Sequence, residues 1–266
     1  MRLLRKLTYY VSSIFRMVFG FKNFLSLIPF FLNRERGEQT EVVLSKSGLR
    51  LVARGAMDIW AIKETFLDAF YSRYGVAIEN GWTVVDIGAG IGDFSIFVAH
   101  SNPQTKIYAF EPFPESYHLL ERNIVLNGIE NVFTYQAAIW SQAGVLHLDN
   151  VRGEPLQITS KEIHSAINEK SVIKVRALTL SQVFEAHAID KLDLLKLDCE
   201  GAEYEILSGA SSEVFNKIKR IIMEYHDIDG HHHDHLVSLL ERHGYRVYCH
   251  DNFVHDDIGY LYAESV

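Results

Sequence analysis

The chain has 266 residues, a formal net charge of -8, 48% hydrophobic and 23% charged residues, and five prolines. That is enough chain for a sizeable core, and it excludes a disulfide-stapled miniprotein, a collagen-like repeat, a disordered segment and a polytopic membrane protein. Its two cysteines, Cys199 and Cys249, have no CxxC spacing and form no framework of bridges, which fits a reducing, cytoplasmic compartment. Charge is unevenly spread. Residues 1–34 hold six basic side chains and no acidic one, so the remainder carries -14 against the overall -8. An acidic body argues against nucleic acid as the main partner, because phosphate contacts need a basic surface.

In the first segment Leu4, Leu7, Val11, Ile14 and Val18 recur at helical spacing, with Arg5, Ser12 and Arg16 on another side. The longest uncharged stretch, residues 23–33, is too short to span a membrane, which takes about 20 apolar residues. Arg16 and Lys22 interrupt the apolar run and no small-residue cleavage site follows, so a secretory signal is disfavoured. Two readings stay open for residues 1–34. One is a helical lid or dimer contact packed on the body; the other is an in-plane contact with the anionic inner face of a membrane.

Residues 41–80 read as a hairpin, with strands at 42–44 and 49–52, followed by a helix that Asp58 caps and that runs through Ile59, Ile62, Phe66 and Phe70. From 81 to 266 short apolar strands alternate with helices, the pattern of an α/β domain with a mostly parallel sheet covered on both faces. Strands are predicted at 83–88, 106–111, 132–138, 192–198 and 220–225, and helices at 94–101, 115–127, 180–186, 202–208 and 235–243. Residues 144–178 look like an inserted strand pair, GVLHLDN and VIKVRAL, and the chain ends in YRVYCHD and DIGYLYA, spaced for an antiparallel pair.

The chemistry begins in TVVDIGAGIGDF, where Gly88, Gly90 and Gly92 form a GxGxG turn between strand and helix. Missing side chains there let backbone amides approach a ligand. A dinucleotide turn reads GxGxxG, which puts a small residue where Asp93 stands. Asp86, two residues ahead of Gly88, would repel a pyrophosphate but suits a ligand with an ammonium and no phosphate, such as S-adenosylmethionine. Glu111 ends the second strand 23 positions after Gly88, where an acid can accept both hydrogen bonds of a ribose diol. Phe113, after Pro112, either lies against an adenine or packs in the core.

VVDIGAGIGDFSIFVA, IYAFEPFPESYHLLERNIVLNGIENVFTYQAAI, LDLLKLDCEGAEYEILSGA and IIMEYHD closely resemble the successive motifs of the FkbM-type S-adenosylmethionine-dependent methyltransferases. The resemblance covers about residues 83–227. It implies the Rossmann-like class I methyltransferase fold, a seven-stranded sheet whose last strand is antiparallel, and methyl transfer to oxygen, often a hydroxyl of a sugar or natural product. By motif, Asp86 and the turn Gly88, Ala89, Gly90 and Gly92 would hold the methionine part of the donor. Glu111 would hold the ribose and the backbone near Ala138 the adenine. The family commonly reads GANIG, and this chain has Gly90 at the asparagine's place.

The cluster KLDCEGAE puts Asp198 at the end of the fourth core strand, facing the crevice where open α/β sheets bind ligands. Glu200 joins it in a site reading, whereas Glu203 reads as helix capping. MEYHD brings Glu224 and His226 to the same edge, two apart and on one face. An alcohol is a poor nucleophile until its proton is leaving, so His226 or a neighbouring carboxylate is the expected general base. The alternative is a divalent ion held by Asp198, Glu224 and His226 that acidifies the hydroxyl. The HHHDH run at 231–235 reads as a solvated loop and helix start more readily than as a metal site. Tyr71 and Tyr74 can close over the cofactor or simply pack. The expected function is an O-methyltransferase. Its rivals are an NAD-dependent oxidoreductase or epimerase, for which no Tyr-x-x-x-Lys relay is visible, and a non-catalytic membrane-tethered adaptor.

Overall fold

The computed structural model describes residues 2–32, 38–75, 77–149, 172–227, 232–252, 254–255 and 257–266. Two helices, α1 (Arg2–Gly20) and α2 (Phe24–Phe31), lead into an antiparallel hairpin, β1 (Thr40–Val43) and β2 (Arg50–Ala53). Next come α3 (Ala56–Phe66) and the single turn α4 (Phe70–Arg73). The expected helix start at Asp58 is corrected. Gly55 is the N-cap, and Asp58 sits in the first turn, accepting the Arg54 backbone N–H at 2.8 Å and gripping its guanidinium. The helix also stops at Phe66, because Ala69 turns left-handed at φ +51° before Phe70.

The sheet contains β3 (Thr83–Ile87), β4 (Lys106–Phe110), β5 (Val132–Tyr135), β9 (Leu194–Leu197), β10 (Arg220–His226), β11 (Tyr245–Asp251) and β12 (Ile258–Ser265), in the spatial order β11-β12-β10-β9-β3-β4-β5. Neighbours among β10, β9, β3, β4 and β5 run parallel, while β12, the last strand in the chain, is antiparallel to both β10 and β11. This is the Rossmann-like arrangement expected. Between β3 and β5 lie α5 (Asp93–Ser101) and α6 (Pro114–Leu126). The helices α7 (Leu180–Ala186), α8 (Glu203–Ser208), α9 (Ser212–Lys217) and α10 (His233–Arg242) follow. At six residues α9 is too short to show a period; its mark is Ser211, whose hydroxyl accepts the Val214 N–H at 3.3 Å.

Strand alternation divides the core in two. Val85, Leu195 and Ile221 pack on one face with Val183 of α7, Leu207 of α8, Phe215 of α9 and Leu240 of α10. Val84, Leu194 and Ile222 pack on the other with Ile59, Phe94 and Leu120 of α3, α5 and α6. Met17, Phe21 and Leu27 belong to this second core, so one side of the basic N-terminal segment is packed on the body. The predicted single strand over 132–138 is split. The Ala137 N–H turns back to the Tyr135 carbonyl at 3.0 Å, and β6 (Ala138–Ile139) leaves the main sheet to pair with β8 (Val172–Leu178). The other side of β8 pairs antiparallel with β7 (Gly144–Asp149), the expected inserted pair; residues 150–171 between them lie outside the described residues.

One buried amide ties the hairpin to the domain. Asn123 of α6 accepts the Val52 N–H at 2.7 Å and donates to the carbonyls of Val52 and Ile91 at 3.1 and 3.0 Å. Asn123→Ala leaves three buried backbone groups unmatched. It is expected to cost roughly 2–4 kcal/mol in denaturant unfolding, whereas loss of the exposed Arg50–Glu41 pair is expected to change little.

Candidate active site

The carboxyl ends of β3 and β9 meet at a glycine turn, with β10 paired alongside β9. Gly88 has φ +73°, and a Cβ on it would stand 1.9 Å from the Asp198 carbonyl oxygen, so the end of β3 can lie against the end of β9 only without a side chain. Gly92 is similarly crowded, 2.5 Å from Leu120 Cδ1. Gly90 differs: at φ +54° a Cβ would meet nothing within 4 Å, so its concave side is open. Left-handed backbone is free for glycine and tolerated by asparagine. That accounts for a turn retained here with Gly90.

Beneath the turn lies a charge pair that crosses the sheet. Asp86 of β3 is fully buried, accepts from Ser95 Oγ at 2.7 Å and lies 3.0 Å from Lys196 Nζ of β9, with which it is in register. Lys196 also donates to the Gly88 carbonyl at 2.8 Å and approaches Asp198 at 3.8 Å. Burial would lower its pKa, but Asp86, Asp198 and Asp93 together raise it, so it stays charged. Asp86, expected to face a ligand's ammonium, therefore has its charge met within the protein. Asp198, at the end of β9, is the more open of Lys196's two carboxylate neighbours, with its side chain 32% exposed. Lys196 was missed on sequence, although a lysine within the run LDLLKLD, in a strand buried on both faces, demands a buried partner.

Glu111, just beyond β4, is 4% exposed. One of its carboxylate oxygens accepts the Gly90 N–H at 2.8 Å and the other the Phe113 N–H at 2.9 Å. Burial pushes its pKa up to about 7 against the pull of those two amides. Pro112 is buried, and Phe113 is half-buried against Ala138, Leu148 and Val175. Glu111, Phe113 and Ala138 thus line one side of the turn.

On the other side, His226 sits among three carboxylates. Its Nδ1 is 3.6 Å from fully buried Glu203, and its Nε2 is 3.4 Å from half-exposed Glu200 and 3.8 Å from Glu224. Burial alone would depress the imidazole, but Glu203, Glu200 and Glu224 raise its pKa to about 10. A raised pKa weighs against His226 as the group that takes a proton at neutral pH. Burial raises Glu200 to about 7, with His226 opposing and Asp198 and Glu203 reinforcing. Burial and Asp198 push Glu224 well above the usual carboxylate range. Glu200 is held left-handed at φ +53°, an unfavourable conformation for a side-chain-bearing residue and one that recurs at functional sites. Glu203 is the first residue of α8 and does not cap it; its carboxylate accepts the Cys199 N–H at 2.9 Å in the turn before the helix and also lies beside His226.

In the HHHDH run, His231 lies outside the described residues. The ligating atoms of His232, His233 and Asp227 lie within 4.8 Å of one another, a spacing that also serves hydrogen bonding, since His233 Nδ1 is 2.8 Å from Asp227. Tyr71 packs on Phe94 at 4.5 Å, while Tyr74 stacks on Tyr260 at 4.9 Å beside Phe70.

Residues 86–247 match the Methyltransferase FkbM domain, well over half the chain. The chain belongs to the FkbM methyltransferase family. It is an S-adenosylmethionine-dependent methyltransferase, and the NAD-dependent alternative is set aside. Among relatives of this FkbM-type chain, 31-O-demethyl-FK506 methyltransferase FkbM of Streptomyces tacrolimicus is 29% identical over 211 residues, covering 70% of this chain and 80% of that one. Methyltransferase sdnD of Sordaria araneosa is 29% identical over 212 residues, covering 70% and 81%. AMB antimetabolite synthetase AmbE of Pseudomonas aeruginosa is 28% identical over 224 residues, 71% of this chain, which spans only 10% of AmbE.

The described residues fit this donor. The open concave side of Gly90 leaves room for a ligand, Glu111 keeps a free lone pair on each oxygen, and the half-buried ring of Phe113 offers an apolar face.

Two stability measurements probe the FkbM-type site. Lys196→Met strands the Asp86 carboxylate in the core and is expected to cost roughly 3–5 kcal/mol, part of which Asp86→Leu restores in the double variant. His226 binds its proton more tightly when folded, so its contribution is full below pH 6.5, fades as pH rises and is lost through about pH 10. Urea titrations across that window should show His226→Gln with a flatter decline than the parent chain.

Proposed function

We propose that this protein transfers the methyl group of S-adenosylmethionine to a hydroxyl of a sugar, glycan or other small-molecule acceptor, with Glu200 as general base. The observation that carries this reading is half-exposed Glu200 lying 3.4 Å from His226 Nε2, at the edge of the sheet that also holds the glycine turn. The name of the Streptomyces tacrolimicus relative, a 31-O-demethyl-FK506 methyltransferase, supports an oxygen acceptor.

When bound, the donor supplies an electrophilic methyl on a sulfonium. The turn from Gly88 to Gly92 would hold its methionine part, with Asp198 facing the ammonium and Asp86 acting from below through Lys196. Glu111 would accept from the ribose diol, and Phe113 with the backbone at Ala138 would enclose the adenine. These groups align donor and acceptor for in-line displacement and exclude water. The acceptor hydroxyl would pass its proton to Glu200, whose pKa near 7 suits proton transfer at neutral pH, as the carbon–sulfur bond breaks and the donor departs as a neutral thioether. His226 is a positioning residue: fixed by Glu203, it presents an imidazolium that holds Glu200 in place.

Glu200→Gln is expected to lower kcat by roughly 10²–10⁴-fold with little change in the affinity for S-adenosylhomocysteine measured calorimetrically. The parent chain's rate should rise with pH through about 7, and this limb should vanish in the variant. Activity should survive EDTA; its loss there, restored by magnesium or manganese, would instead establish the metal route through Asp198, Glu224 and His226. Failure of S-adenosylhomocysteine to raise the melting temperature would leave the adaptor reading standing.

A further inference from the structure

Helix α1 is for most of its length amphipathic in the opposite sense to an ordinary surface helix, whereas α2 buries Leu27 on the body and leaves Leu25 outside. Along α1 the side turned to the body joins buried Met17 to polar groups: Ser13 is buried, Tyr9 donates to Glu64 at 2.7 Å and Arg16 pairs with Asp68 at 2.6 Å. Beneath them Lys63, fully buried, contacts Asp68 and lies 4.5 Å from the Tyr9 and Trp60 ring centres. The side turned to solvent is apolar, with Leu7, Ile14, Phe15 (61% exposed) and Phe19 (77%) at helical spacing; Leu25 (79%) on α2 and Leu32 just beyond it continue the apolar surface. Large apolar patches are rare on soluble chains and mark an interaction surface.

We infer that α1 and α2 lie in the plane of an anionic lipid bilayer, with Phe15, Phe19 and Leu25 immersed among the acyl chains. Charge complementarity selects the occupant. Residues 1–34 carry six basic side chains and no acid, and the rest of the chain carries -14, so an anionic surface attracts this segment and repels the remainder. A two-fold pairing of copies through this patch would instead bring like charges together. Among the described residues no helix is long and apolar enough to cross a membrane, so the contact is in-plane. Lys6 and Lys22 flank the patch with flexible stems that can reach the headgroups.

Flotation of the full chain with phosphatidylcholine vesicles, with and without phosphatidylglycerol, tests this. The expected result is flotation with the anionic vesicles, weakened by salt and by Lys6→Glu/Lys22→Glu. In Phe15→Asp/Phe19→Asp/Leu25→Asp it should fall roughly tenfold or more, with an unchanged melting temperature and unchanged S-adenosylhomocysteine binding. Absence of flotation, equal flotation on both vesicle types, or equal flotation of the triple variant overturns the proposal. A dimer by light scattering that the triple variant splits, without flotation of the parent, assigns the patch to a second copy instead.

Discussion

The buried ion pair between Asp86 and Lys196 is the constraint on which the rest of the site depends. It joins two parallel strands beneath the glycine turn, and Lys196 extends it to the Gly88 carbonyl and to Asp198. Neither charge can leave the other without stranding a bare ion in the core. The strand ends are thereby fixed in register, and the turn above them is held at one height relative to β9. Gly88 completes the arrangement, because any side chain there would collide with the Asp198 backbone.

Charge is then graded outward from this pair. Asp86 is fully enclosed and neutralised, Glu111 is enclosed but answered by two backbone amides, and Asp198 is the most open of the three. The His226 cluster follows the same order, from fully buried Glu203 to half-exposed Glu200. Buried members hold geometry, and the outermost members are the ones to which the proposed mechanism gives the proton and the ligand. A cationic donor suits such a crevice, since it brings positive charge to a rim carrying excess carboxylate.

Much of this was legible in the chain. Alternation of apolar runs with amphipathic ones gave the parallel sheet, GxGxG gave the turn, and the motif positions of Asp86, Glu111, Asp198, Glu200, Glu224 and His226 brought all six to one end of the sheet. What escaped was local and cooperative. The strand over 132–138 looks continuous until the chain folds back at Tyr135, and Asp58 looks like a cap until Gly55 is seen to occupy that place. Lys196 escaped because a basic residue in an apolar strand signals a partner without naming it.

Residue order alone decided the fold class, the turn and the identity of the acidic groups, because period, glycine placement and motif spacing are properties of neighbours along the chain. Protonation and exposure were decided only in three dimensions. That the carboxylates around His226 raise its pKa, that Asp86 pairs with a lysine 110 positions away and that most of the apolar side chains of α1 face outward all follow from which distant groups share a low-dielectric space. Burial and charge proximity are sums over those distant groups, and no window of sequence contains them.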